Sequence, residues 1–434
     1  MQTEARPDLA SLAAEAKSDR NRAVDAYRAL AMLAVAVGHW AAISVALDDD
    51  GALSAGNALA EAPQLAWITW LFQVMPLFFV VGGFSSAMSL DAHFRSGGHG
   101  ADWVAARLRR MLAPAVVLGG TWLSLIVAGS ALGFGGIVMA GAVASAIPLW
   151  FLANYTIDTA IAPYVLPAFR RRPVVVVTIG LATFAAIEAM VLAGVPHVGH
   201  VNWVLGWLLF QVAGFAWRDG LLPEGRRLAA AAVALWTAAV GLVAFGPWPV
   251  AMVHHEGLTH SPTHPPSLAL LFFGAAYSAT AIAAAPAVSR FLARSPKAWT
   301  AVVAGNAVSL TVYLWHFTAF VVVAAAAYAG GVLPSAEVAT GAWWVQKLPM
   351  MLASTVVLAA IVRVVSGVER RALLAPRAAW RGSEGSMLLT AAGISAAIKV
   401  WGLGSGEAVM VGAVALLVIW RTVLRAEPAV GTVH

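Results

Sequence analysis

The chain has 434 residues, 60% of them hydrophobic and 11% charged, with a formal net charge of +6 and no cysteine. Soluble domains carry about a quarter of their residues as charges, so this composition excludes an ordinary water-soluble globule and calls for lipid around much of the surface. Lack of cysteine excludes disulfides, thiol catalysis and zinc–thiolate sites, and basic residues scattered between apolar runs do not make the clustered face that nucleic acid needs.

Residues 1–22 are polar and include Arg6, Lys17, Arg20 and Arg22. An apolar run follows directly, with no short core and no small-residue cleavage site, so the first helix is expected to be retained and the tail to be cytoplasmic. A spanning helix needs about 20 mostly apolar residues. That rule predicts spans near 24–46, 65–90, 108–129, 148–168, 173–194, 201–217, 228–246, 267–288, 300–329 and 343–365. A further hairpin is predicted near 386–403 and 408–424, and the Gly/Ala-rich stretch 130–147 reads as re-entrant or interfacial.

Charge orients this arrangement. Arg95, Arg107, Arg109, Arg110, Arg170–Arg172, Arg218, Arg226, Arg227, Arg290, Arg294, Lys297, Arg370, Arg371, Arg377, Arg381 and Arg425 fall in alternate connections, and the intervening ones carry neither Lys nor Arg. Basic residues prefer cytoplasmic loops, so the N-terminus is placed inside; Lys347 and Lys399 are exceptions within or beside apolar spans. The expected fold is therefore all-α, a polytopic transmembrane bundle of about ten core helices with a C-terminal two-helix hairpin, lying multi-pass in the cell membrane. Its organisation reads as a tail (1–22), a transmembrane domain (23–381) and the hairpin with its tail (382–434).

The first helix, RAVDAYRALAMLAVAVGHW over residues 22–40, carries the densest chemistry. Arg28 and His39 are eleven positions apart, which returns to nearly the same helix face about 16 Å further along. Asp25 lies one turn before Arg28, placed to pair with it. Ionisable groups at membrane depth usually face a cavity or pathway; the bland alternative is a basic flank plus a histidine bonded to a neighbouring helix.

This segment resembles the opening signature of the membrane acyltransferase 3 family, which includes enzymes that O-acetylate surface polysaccharides and peptidoglycan and some that acylate macrolides. Arg22, Asp25, Arg28 and His39 match its pattern. Other segments follow in the family's order: PLFFVVGGF (76–84), with Gly82 where Ser is usual; Arg107, Arg109, Arg110 and Pro114; LWFLANYTIDTAIAP (149–163), with Tyr155 where many members carry Glu five residues after Trp150; and SLTVYLWHF (309–317). The resemblance covers about residues 20–366 and leaves the last hairpin outside.

It implies transfer of an acyl group, acetyl foremost, from cytoplasmic acyl-CoA to a hydroxyl of a glycan or glycosylated small molecule. No permanently bound cofactor or metal is expected; acyl-CoA, the acceptor and the lipid bilayer are the partners. In that reading His39 is the base, Arg28 is steadied by Asp25, and Arg22, Arg107, Arg109 and Arg110 bind the donor's phosphates, which suit Arg forks. His316 and Tyr313 line the same cavity or meet the acceptor, or else make structural bonds. Glu188 orients His39, binds sugar hydroxyls, or pairs with Lys399 or Lys347. Asp158 stands in for the missing Glu, with Trp150 and Tyr155 nearby. His255, His260 and His264, in an outer loop rich in Pro and His, read as plain loop, acceptor contact or a loose metal set. The alternative function is a secondary transporter or exporter, in which buried charges form a solute or proton path; no internal repeat supports it.

Overall fold

The computed structural model describes residues 21–47, 51, 53–373, 383–402 and 405–420. Most of the expected N-terminal tail and the end of the C-terminal tail lie outside these residues, as do the side chains of Arg370, Arg371, Arg377 and Arg381, and Arg425 altogether. The fold is all-α apart from one small hairpin, and eight helical stretches among the described residues are long and apolar enough to cross a membrane. The protein is a multi-pass membrane protein.

Helix α1 spans Arg22–Ala42. The Asn21 side chain caps it by accepting from the Val24 amide, and Asp25 sits in its first turn, where the helix dipole favours an acid. It stops where β-branched residues begin: Ile43–Leu47 pairs antiparallel with Leu53–Asn57, Ile43 opposite Asn57. This hairpin falls inside the stretch expected to end the first span and open a plain loop. The Lys347 ammonium bonds the Ile43 carbonyl and the Ser44 hydroxyl bonds Glu61, which tie the hairpin to the bundle.

The expected single span at 65–90 is also broken. A 3-10 turn at Pro63–Ile68 and a single helical turn at Thr69–Phe72 end at Gln73, and α2 begins at Met75 and runs to Arg95. Pro76 explains the break, since its ring has no N–H for the Phe72 carbonyl four residues back and crowds it, while it is well tolerated in the first turn of α2.

The remaining helices are α3 (Gly100–Ala131), α4 (Gly135–Ala146), α5 (Leu149–Arg171), α6 (Pro173–Leu192), α7 (Gly199–Arg218), α8 (Gly225–Phe245), α9 (Leu268–Arg294), α10 (Pro296–Ala329), α11 (Gly341–Leu373), α12 (Glu384–Trp401) and α13 (Gly406–Ile419). Helix α4 fills the stretch expected to be re-entrant; at about 1.5 Å per residue it is too short to span. Helices α6, α8 and α11 are mostly bare along their apolar windows, as lipid-facing helices are. Helices α1 and α7 fall short of the spanning measure because polar residues interrupt them, and those residues point at other helices.

The tightest seam joins α2 and α7. A Cβ at Gly83 would lie 2.0 Å from the Gln211 carbonyl oxygen, and one at Gly214 would lie 2.0 Å from that of Val80. Only glycine allows that approach. Helices α12 and α13 pack against the bundle rather than apart from it: Gly119 on α3 faces the Trp401 ring, and Gly412 sits against the Trp401 backbone.

Candidate functional site

One face of α1 carries Arg28, Met32, Val35 and His39, while Leu30 and Leu33 on the other side are more than half exposed. The lipid side and the chemical side of the helix are thus separate, as the eleven-residue spacing required. Arg28 donates to the Ser85 hydroxyl at 2.5 Å. Arg107 donates to the Ser89 hydroxyl at 2.6 Å and the Ser85 carbonyl at 3.3 Å, and stacks over Trp103. Ser85 and Ser89, one turn apart on α2, therefore hold arginines from α1 and α3 side by side.

These residues line a cavity of about 330 Å³, with Asn21, Asp25, Arg110, Met111 and Tyr155 among its walls. Asp25 reaches Arg28 at 4.0 Å. Three guanidinium groups around a partly enclosed space suit a ligand rich in phosphate, because each offers a fork of donors.

Two residues expected here are placed elsewhere. Arg22 donates to the Leu292 carbonyl at 3.0 Å and lies over the Trp299 ring, so it anchors α1 to the junction of α9 and α10. Arg109 is two positions beyond Arg107, about 200° around α3, and is not among the residues that line the cavity.

Further along α1, the His39 ring stacks on His316 at 5.1 Å, and His39 Nδ1 lies 2.9 Å from His316 Nε2. His316 Nδ1 is 2.5 Å from the Tyr313 carbonyl. A carbonyl only accepts, so His316 Nδ1 carries the proton. In a fully buried, uncharged His316 the Nε2 atom is then bare, and His39 Nδ1 must donate to it. This chain of bonds leaves His39 Nε2 with a free lone pair. Trp40 donates to the His316 carbonyl at 2.9 Å and fixes the same contact from the next residue. His316 is fully buried, whereas His39 keeps part of its surface open.

The cavity has Tyr155 in its lining and does not include His39. Between them lies an aromatic cluster: Tyr155 contacts Phe78, Phe79 and Phe151, Phe151 contacts Tyr313, and Tyr313 contacts His316, all with ring centroids within 5.9 Å. The arginine cavity as it stands does not reach from Arg28 to His39, and this cluster lies between them.

The other candidates separate. The Tyr313 hydroxyl donates to the Pro148 carbonyl and so locks α10 to the start of α5; its hydroxyl is not offered to a ligand. Glu188 accepts from Trp248 Nε1 at 2.9 Å and from the Leu268 amide at 3.3 Å. It clasps the loop between α8 and α9 and neither orients His39 nor pairs with a lysine: Lys347 goes to Ile43, and the Lys399 ammonium lies over the Trp203 ring. Asp158 is fully buried, and neither of its oxygens meets a hydrogen-bond donor. It is outside the arginine cavity and is not a partner of His39. Trp150 packs on Trp207 and on His264, which also faces His254. His255 bonds the Glu256 carbonyl, and among the described residues no three His, Cys, Asp or Glu side chains converge to hold a metal.

Sequence reasoning missed Ser85, Ser89 and Trp103. Their only signal is the i, i+4 serine pair on one face of α2, which does not say which helix meets that face.

No curated protein and no solved structure matches the chain. A family model does: the acyltransferase domain matches residues 21–364, from the cap of α1 into α11, and stops before the α12–α13 hairpin. The protein belongs to the membrane acyltransferase 3 family.

Proposed function

We propose that the protein transfers a short acyl group, acetyl foremost, from cytoplasmic acyl-CoA to a hydroxyl of a glycan or glycosylated small molecule on the far side of the membrane. The observation that carries this reading is the pairing, on one stripe of α1, of Arg28 in an arginine-lined cavity with a bare His39 Nε2 about 16 Å further in. An acyl-CoA has an anionic head, a long neutral arm and a thioester at its tip, and this layout has the same polarity and a similar reach. Placing the arginine cavity in the cytoplasm follows from the basic connections.

In the proposed reaction, His39 Nε2 takes the proton of the acceptor hydroxyl as its oxygen attacks the thioester carbonyl. The tetrahedral centre collapses with cleavage of the carbon–sulfur bond. The coenzyme thiolate leaves and recovers the proton from the His39 imidazolium, giving an ester and free CoA. His316 accepts from His39 Nδ1 throughout, holds the ring's orientation and helps carry the positive charge. Arg28, Arg107 and Arg110 hold the phosphates. The exporter reading has no such pairing in its favour.

Mass spectrometry of surface glycans and secreted glycosides from cells lacking the protein tests this. An acyl ester should vanish and return with the wild-type gene but not with His39→Ala. Unchanged acylation in every class would refute it.

A further inference from the structure

Gly82 and Tyr155 touch. A Cβ built at Gly82 would lie 3.0 Å from both Cε2 and the hydroxyl oxygen of Tyr155, tighter than side chains normally tolerate. The bare backbone of α2 at this point is what lets the Tyr155 ring of α5 sit in the wall of the arginine cavity. The ring is held there on three further sides by Phe78, Phe79 and Phe151. Where Phe79, Phe151 and Gly82 are buried, Tyr155, Phe78 and His39 keep partial exposure, and Tyr155 shares the cavity lining with the arginines.

Resting on the acyl-CoA reading above, we propose that Tyr155, seated against Gly82, is the selectivity gate for the acyl group. The donor's arm and thioester must pass this ring to reach His39, and whatever the acyl carbon chain adds in bulk is measured against it. Gly82 and Tyr155 form one unit: the space a side chain at 82 would take is filled by the ring at 155. The ring does the sorting, because Phe78, Phe79, Phe151 and the Gly82 backbone are what hold it in place. Tyr155 is then a specificity-determining residue. It keeps short chains ahead of long ones.

The test uses the purified full-length protein in nanodiscs, with kcat/KM for acetyl-CoA and octanoyl-CoA and, separately, binding of CoA itself. Wild type and Tyr155→Phe are expected to share one acetyl-to-octanoyl ratio. Tyr155→Ala, or Tyr155→Leu if the alanine variant does not fold, should shift that ratio toward octanoyl by at least about tenfold, the range that one or two methylenes command in a shaped apolar passage. Binding of CoA itself, measured separately, reports the shared cavity wall, so the ratio of the two donors alone reads the ring. Gly82→Ala should change the ratio on its own and have no further effect in the Tyr155→Ala background, as contacting residues do. A merely structural role for Tyr155 would lower both rates equally and leave the ratio fixed, which would overturn the proposal. So would Tyr155→Phe shifting the ratio as far as Tyr155→Ala. Transfer from neither donor by wild type would remove the acyl-CoA reading itself, and the gate with it.

Discussion

A hydroxyl proton needs a bare nitrogen to take it, and the bonds from Tyr313 through His316 to His39 determine which nitrogen that is. Losing the base should therefore be costly: His39→Ala is expected to lower the transfer rate by about 10²–10⁴-fold at unchanged protein level, checked by single-turnover assay. His316→Phe keeps a ring for stacking but removes the acceptor for His39 Nδ1, so it should lower kcat by less than that and leave KM for the donor unmoved. The arginines should behave in the opposite sense. Arg28→Lys or Arg107→Lys keeps charge and loses the fork that reaches Ser85 or Ser89. A charged hydrogen bond contributes about 1.5–3 kcal/mol, so KM for the donor should rise tenfold or more while kcat holds. Arg28 and His39 were legible in the sequence because helical spacing alone sets two residues eleven apart on one stripe. The partner of His39 was not, since 277 positions separate it from His316 and only the packing of α10 on α1 brings them together. Glu188 misled for a related reason: an acid at membrane depth has a role, but spacing does not show that its role is to hold a loop.

The glycines of the α2–α7 seam permit an approach of which nothing larger is capable. Gly83→Ala or Gly214→Ala must push the helices apart, and such overpacking costs about 1–3 kcal/mol or more. A lower melting temperature in detergent is the expected result; an unchanged one would mean that the helices are not so close. Movement of α2 would also shift Ser85 and Ser89, so donor KM should rise in the same variants. In the loop between α8 and α9, burial above all, with His254 and Lys399 nearby, lowers the His264 pKa to about 4. An unfolded histidine titrates near 6.5. Between those values the released loop binds more protons than the docked one, so docking should weaken as pH falls from about 6.5 to 4 and stay constant above. Hydrogen exchange of residues 247–266 checks this: protection relative to the intrinsic rate at each pH should fall only on the acid side. Helix positions were readable from apolar run length. The Ile43–Asn57 hairpin was not, because it straddles the end of an apolar run and the polar stretch with Asp48, Asp49 and Asp50 after it; the break before Pro76 was not, because the run around it stays apolar.

Across the whole molecule, bare apolar helices accompany a few interrupted ones that carry the candidate site residues. Composition announced the membrane, and the ordered motifs announced the family that the match over residues 21–364 establishes. The meeting of Tyr155 with Gly82 and the arginine cavity was invisible, since no single motif spans α2, α3 and α5. The α12–α13 hairpin lies beyond the matched region yet buries Trp401 against α3, so its removal should lower stability without altering the ratio of donors used. The central claim is that the arginine cavity and His39 serve one donor. The most direct measurement supplies radiolabelled acetyl-CoA to purified protein in nanodiscs and follows label and CoA binding together. Wild type should bind CoA and release label to an acceptor or to water, and His39→Ala should bind CoA equally well and release none. Equal release by the two proteins, or no CoA binding that Arg28→Lys and Arg107→Lys weaken, would contradict the account.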